Sequence, residues 1–240
     1  MSEMENLGKW EHPKSVVVTG GLGFIGSKFI RTIFDKWPCV IHNMDNASYG
    51  SDPSSLFRIS KSDRYVWHPV DIRHEEKLQD LLFAIRPSLV LHFAAETHVD
   101  HSIHEPKVFI ETNVLGTFNV LQGATSYFNS LSGSEKDCFR VINVSTDEVF
   151  GDIGLNSKGI FDENSRYQPN SPYSASKAAA DHMARAWFKT FNLPVITTNC
   201  TNNYGEWQAR DKFIPKVINS AINCQPIPVY GSGKQVRDWI

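Results

Sequence analysis

Residues 16–26 read Val16-Val17-Val18-Thr19-Gly20-Gly21-Leu22-Gly23-Phe24-Ile25-Gly26, an apolar run that breaks into glycines and resumes as a helical pattern. A turn from a buried strand into a helix needs glycine where the backbone bends sharply or another backbone comes close. The same turn aims the amides of a helix N-terminus at whatever lies in front of it, which favours a pyrophosphate. Gly20, Gly23 and Gly26 have the spacing for this, as does the overlapping set Gly21, Gly23 and Gly26. A structural turn would meet the spacing equally well. The strand before it and the amphipathic helix after it favour the nucleotide reading.

The rest of the chain repeats that alternation. Apolar runs at 15–19, 40–44, 65–70, 89–95, 139–144 and 194–198 are separated by helical patterns at 24–36, 74–85, 106–127 and 172–191. This predicts an α/β fold, a doubly wound parallel sheet of the Rossmann type. Residues 46–62 and 151–170, rich in turn formers, read as loops. Beyond 200 the pattern changes to polar turns, a short helix at 213–223 and a small strand at 227–230. The expected division is a nucleotide-binding domain over 1–200 that carries the catalytic residues, then the beginning of a small C-terminal substrate lobe over 201–240.

A net charge of −2 and the lack of repeats give no reason to expect a nucleic-acid partner or a structural role. Residues 1–14 are polar, and no apolar run approaches the roughly 20 residues that span a bilayer. A cytoplasmic protein without a membrane partner is expected. Cys39, Cys138, Cys200 and Cys224 lack C-x-x-C spacing and read as reduced thiols.

Asp45 closes the second apolar run about 20 residues past the last glycine, where a carboxylate accepts ribose hydroxyls and repels a 2′-phosphate. Asn46, Ala47, Ser48 and Tyr49 follow without an arginine, so NAD is expected rather than NADP. Asp45 as a plain turn residue is the other reading. Asp71 and Ile72 end the third run, within reach of an adenine.

Ser171-Pro172-Tyr173-Ser174-Ala175-Ser176-Lys177 reads as a helix start, with Ser171 as N-cap and Pro172 in the first position. Tyr173 and Lys177 then lie one turn apart on one face. A phenol titrates at about 10. A neighbouring ammonium, helped by the positive charge of a nicotinamide, would lower that value and let Tyr173 take a proton from a hydroxyl as hydride leaves the same carbon. A chance match is the other reading of such a pair.

Thr146, Asp147 and Glu148 stand at the C-terminal edge of the fifth run, where such sheets bind ligands. Two carboxyl groups suit elimination. Beside a ketone at C4 of a sugar the C5 proton is acidic, so Glu148 as base and Asp147 as acid could expel the 6-hydroxyl as water. Neighbouring strand residues face opposite ways, so both meet one substrate only if the strand breaks here. Gly151 and the loop after it fit such a break, and a solvated strand end is the other reading. His98, Asp100, His101 and His104, flanked by Glu96 and Glu105, match no zinc spacing, and cofactor-edge and helix-cap roles are expected in place of a metal.

On residues 19–26, 92–103, 112–121, 144–151, 171–178 and 199–240 the chain resembles the extended short-chain dehydrogenase/reductase family, and within it the nucleotide-diphospho-glucose 4,6-dehydratases. Asp147-Glu148 is the pair that sugar 4-epimerases and decarboxylases of that superfamily usually lack. The resemblance implies a hydro-lyase acting on dTDP-glucose or UDP-glucose. It would oxidise C4 with NAD, remove water across C5–C6 and return the hydride to C6, leaving a 4-keto-6-deoxy sugar nucleotide. It also implies cofactor contacts from Phe24, Ile25, Asp45, Asn46, Ala47, Ser48, Asp71, Ile72, Phe93, Ala94, Ala95, Glu96, Thr97, Thr112, Tyr173, Lys177 and Asn203. Thr97 and Thr146 would touch the sugar. Asn202, Lys212, Phe213, Pro228, Val229, Tyr230 and Arg237 would hold the diphosphate and base. A homodimer through 106–127 and 172–191 is implied as well.

Two departures are visible. Glu206-Trp207 stands where the family has proline after Asn202-Asn203-Tyr204-Gly205, and His101 stands where it often has arginine. Family members also continue past the segment Arg237-Asp238-Trp239-Ile240, so a C-terminally short chain missing part of the substrate clamp is expected. Two alternatives remain beside the dehydratase, a non-catalytic NAD-binding protein and a nucleotide-sugar 4-epimerase.

Overall fold

Val16, Val17 and Val18 are all fully buried, although successive strand residues point to opposite faces. Their strand, β1 (Ser15–Thr19), therefore has protein on both sides. The computed structural model describes residues 12–152, 159–229, 231–234 and 236–240. In it β1 lies inside a six-stranded sheet with β2 (Val40–Met44), β3 (Tyr65–His68), β4 (Leu89–His92), β5 (Arg140–Thr146) and β6 (Val195–Cys200). The order is β3-β2-β1-β4-β5-β6 and every pairing is parallel. The chain reverses its direction of travel across the sheet between β1 and β4, so a crevice opens at their C-terminal ends.

One face is covered by α1 (Phe24–Lys36), whose Ile30 and Ile33 pack with Val16, Val18 and Ile41. The connections on the other face form α2 (Glu75–Ile85), α3 (Val99–His104), α4 (Pro106–Phe109), α5 (Thr117–Ser130), α6 (Gly133–Cys138) and α7 (Pro172–Phe191). Leu78 and Leu82 of α2, Val120 and Leu121 of α5 and Ala184 of α7 meet Val17, Val90 and Val141 there. Each buried Leu, Ile or Val contributes about 1.5–3 kcal/mol relative to exposure. α8 (Phe213–Ile222) follows the sheet. No helix among the described residues is long and apolar enough to cross a membrane.

Two sequence expectations are corrected. The helix expected over 106–127 is interrupted by a π-helical turn, Ile110–Gly116. The wider turn accompanies buried Asn113, which donates to the Glu96 carbonyl and the Ser176 hydroxyl at 2.9 Å each and accepts from the Glu96 amide at 2.8 Å. A period of 3.6 cannot foretell that detour. The strand expected over 227–230 does not form at 227–229, and Tyr230 lies outside the described residues. A strand needs partners for its amides and carbonyls, and Val229 stays 69% exposed. The segment at 238–240 pairs instead: Asn202 N donates to Asp238 O at 3.2 Å, and Ile240 N to Asn202 O at 2.9 Å.

Candidate active site

The glycine loop is shaped by close backbone approach. Gly20 has φ +70°, and a Cβ there would meet Ala94 N at 2.5 Å, while a Cβ on Gly26 would run into the Gly20 carbonyl. The first helical hydrogen bond of α1 is Ser27 N to Gly23 O. The amides of Phe24, Ile25 and Gly26 therefore have no acceptor within the helix. No side chain caps them and no acidic residue occupies the first turn. All three face a cleft of 390 Å3 at the crevice. Bare amides plus the helix dipole suit a negatively charged group, and the fit to a diphosphate is good.

Gly20, Gly23, Asp45, Asn46, Ser48, Asp71, Ile72 and Thr112 line one side of this cleft. Phe93, Ala94, Ala95, Glu96 and Thr97 follow β4 along its floor. Asp45 is buried and accepts from Leu22 N at 2.9 Å, Ala47 N at 2.8 Å and the Ser51 hydroxyl at 3.1 Å. A carboxylate offers about four acceptor positions, so one stays available to a ligand hydroxyl. Ala47 itself is not part of the lining. Arg73, missed from the sequence, lines the cleft paired with Asp71 at 2.7 Å. Burial alone would raise Asp71, but hydrogen bonds from Arg73 and Asn46 more than offset it and hold the carboxyl down at about 2.

On the opposite wall, α7 begins with a capping box in which Ser171 and Ser174 satisfy each other's backbone amides, with Pro172 next to the cap. This start aims Tyr173 and Lys177 into the cleft, where they meet Thr146, Glu148, Asn202, Asn203 and Lys212. Lys177 Nζ donates to the Val144 carbonyl at 2.8 Å. The strand break required at Asp147 is present. β5 stops at Thr146, whose hydroxyl accepts from Glu148 N at 3.2 Å and opens a 3-10 turn over Asp147–Phe150. Glu148 reaches the cleft, whereas Asp147 lies outside its lining and accepts from the Thr146 hydroxyl at 3.3 Å. Phe213, Pro228, Val229 and Arg237 also lie outside the lining.

Burial dominates the electrostatics of this wall. Tyr173 is pushed above its ordinary value, first by burial and then by the Glu148 charge, with a Thr146 hydrogen bond opposing. Burial likewise lowers Lys177, against the pull of Asp181. These protein groups by themselves hold the phenol up, and the lowering expected from the sequence draws also on the nicotinamide's positive charge. Burial also raises Glu148 and Asp147, and Arg237 opposes this in both. Of the histidine cluster, His98 caps α3 by accepting from His101 N and pairs with Asp211 at 2.9 Å. Sequence reading also missed Asp181 and Asn113, although Asp181 repeats the four-residue step from Tyr173 to Lys177.

Fold and cleft are those of the extended short-chain dehydrogenase/reductase class. The chain belongs to the family described as GDP-mannose 4,6 dehydratase, whose model matches residues 17–240. It is 43% identical over 227 residues to the dTDP-glucose 4,6-dehydratase of Neisseria meningitidis serogroup B, covering 95% of this chain and 64% of that relative. Among solved structures it resembles the dTDP-glucose 4,6-dehydratase from Streptomyces venezuelae, solved with NAD and a second ligand bound, with a TM-score of 0.84 and 38% identity over 94% of this chain and 67% of that one. The enzyme of the same name from Bacillus anthracis, in complex with NAD, gives 0.83 and 36% at the same coverage. The chain thus spans about two thirds of the length of these relatives.

Proposed function

We propose that this chain carries the catalytic part of an NAD-dependent 4,6-dehydratase acting on dTDP-glucose. The observation that carries the reading is the convergence of Thr146, Glu148, Tyr173 and Lys177 on the cleft that the bare N-terminus of α1 also faces. Phe24, Ile25 and Gly26 would hold the cofactor diphosphate and Asp45 a ribose. NAD bound there would supply the acceptor for the hydride leaving C4 and its later donor to C6.

The protein's own groups handle the protons. Thr146 holds the 4-oxygen and Tyr173 takes its proton, with the Lys177 ammonium stabilising the phenolate. The 4-ketone then acidifies C5, Glu148 removes that proton, and Asp147 gives one to the departing 6-hydroxyl; when hydride returns to C6, Glu148 gives its proton back to C5. Burial raises both carboxyls, which suits Asp147 as a proton donor and makes Glu148 a stronger base. Residues 201–240 would form part of a substrate lobe, with Asn202, Lys212 and Arg237 toward the substrate diphosphate.

Incubation with dTDP-glucose should give a 4-keto sugar, read from its alkali-induced absorbance, and UDP-glucose should react more slowly. No product from either sugar overturns the reading, and interconversion with galactose nucleotides would replace it by an epimerase. A cytoplasmic homodimer through 106–127 and 172–191 belongs to the same proposal. The exposure of Ile110, Leu115 and Phe188 supports it, and sedimentation as a monomer would refute it.

A further inference from the structure

Asp181 is 3% exposed and lies on α7 one turn beyond Lys177 and two beyond Tyr173, on the same face. Its carboxylate accepts four hydrogen bonds. Two come from β5, Asn143 Nδ2 at 3.1 Å and the Ser145 hydroxyl at 2.8 Å. Asn199 Nδ2 on β6 donates at 3.0 Å, and the Tyr167 hydroxyl, from the loop before α7, at 3.2 Å. A carboxylate offers about four acceptor positions, whereas a carboxylic acid turns one of its oxygens into a donor. Four converging donors therefore favour the ionised form and oppose the burial that raises it.

A charge this deep needs an opposite one. Lys177 is 4% exposed, and its Nζ donates to the carbonyl of Val144, the residue between Asn143 and Ser145. Both charges thus hang on one three-residue stretch of β5. Asn199 extends the link to the active-site edge by donating to the Thr146 carbonyl at 3.2 Å.

We infer that Asp181 is a positioning residue for proton transfer at Tyr173, acting by keeping the buried Lys177 protonated and fixed to the end of β5. The inference rests on reading Tyr173 as the base. His92 and Cys200 also face Lys177, and His92 is pushed down to about 3 by burial and by Lys177 itself. Tyr167, its ring tilted against that of His182, faces Asp181, while Glu148, Asp147 and Cys200 face Tyr173. Among these groups Asp181 is the carboxylate that opposes the desolvation of Lys177.

Asp181→Asn keeps the shape and removes the charge. With NAD added, the Tyr173 phenol is titrated by ultraviolet difference spectroscopy, each protein against its own Tyr173→Phe counterpart. The midpoint should rise by about one pH unit, the rising limb of the pH–rate profile should move with it, and turnover below that limb should fall about tenfold. Tyr167→Phe removes a hydrogen bond yet keeps the carboxylate, and should leave the midpoint in place. An unmoved midpoint in Asp181→Asn overturns the inference. A wild type that shows the titration but converts no sugar nucleotide sinks the dehydratase reading alone. Should Asp181→Asn fail to fold, Lys177→Met combined with Asp181→Asn removes both charges and should recover folding. A double variant no more stable than Asp181→Asn overturns the coupling of the two charges.

Discussion

The Lys177 ammonium donates to the Val144 carbonyl at 2.8 Å, so the helix that carries Tyr173 is tied to the strand end that delivers Thr146, Asp147 and Glu148. The proposed base and the proposed acid–base pair, from distant parts of the chain, share one frame for that reason.

Tyr173→Phe should leave this frame standing, because the ring keeps its edge contact with Phe109 at 6.4 Å. Turnover should drop by about 10²–10⁴, with a stability change within about 1.5 kcal/mol for one lost hydroxyl bond. Keto-sugar formation and urea unfolding measured on the same sample check both halves.

Asp147→Asn and Glu148→Gln should still oxidise C4 but eliminate about 10²–10⁴ more slowly. Single-turnover mixing would then show reduced nicotinamide accumulating while the 6-deoxy product lags. Elimination at the wild-type rate in either variant refutes the assigned role.

Gly20→Ala should destabilise the fold well beyond Gly133→Ala. Both glycines have positive φ, which costs an L-residue about 1–2 kcal/mol. Only at Gly20 does the new Cβ also meet backbone, at Ala94. Denaturant midpoints of the two variants give the comparison, and equal losses would rule out the close approach.

Acid should weaken the fold through buried His92 and half-buried His42. His92 bridges the Thr19 hydroxyl at 2.7 Å and the Thr117 hydroxyl at 2.9 Å, and burial pushes it down to about 3. Its folded value lies below its unfolded one, so the unfolded state binds the extra proton. Stability is full above about 6.5 and is lost as pH falls from there toward about 3. His42, pushed down to about 4 by burial and by His68, adds to the loss with the same sign. The His92 contribution alone should be about 2 kcal/mol smaller near pH 5 than near pH 7. Urea unfolding of the wild type and of His92→Gln at both values measures the difference.

Local signals were read well. The strand–glycine–helix turn at Gly20 to Gly26, the Ser171–Pro172 helix start and the four-residue step from Tyr173 to Lys177 depend on neighbours in the chain, and the structure contains each of them. The π-turn at Asn113, the pairing of 238–240 with Asn202 and the hub at Asp181 were not legible. Each joins segments far apart in sequence, and a polar residue's partner cannot be read from its own surroundings.

The sequence by itself determined the alternation of strands and helices, the bare amide start of α1 and the residue types needed for proton and hydride chemistry, because propensity, capping and periodicity act over a few residues. Only the tertiary structure decided that Glu148 reaches the cleft while Asp147 stands beside it, and that burial and the Glu148 charge raise the Tyr173 phenol. Desolvation and direction depend on everything packed around a group, and that is fixed only once the sheet has closed.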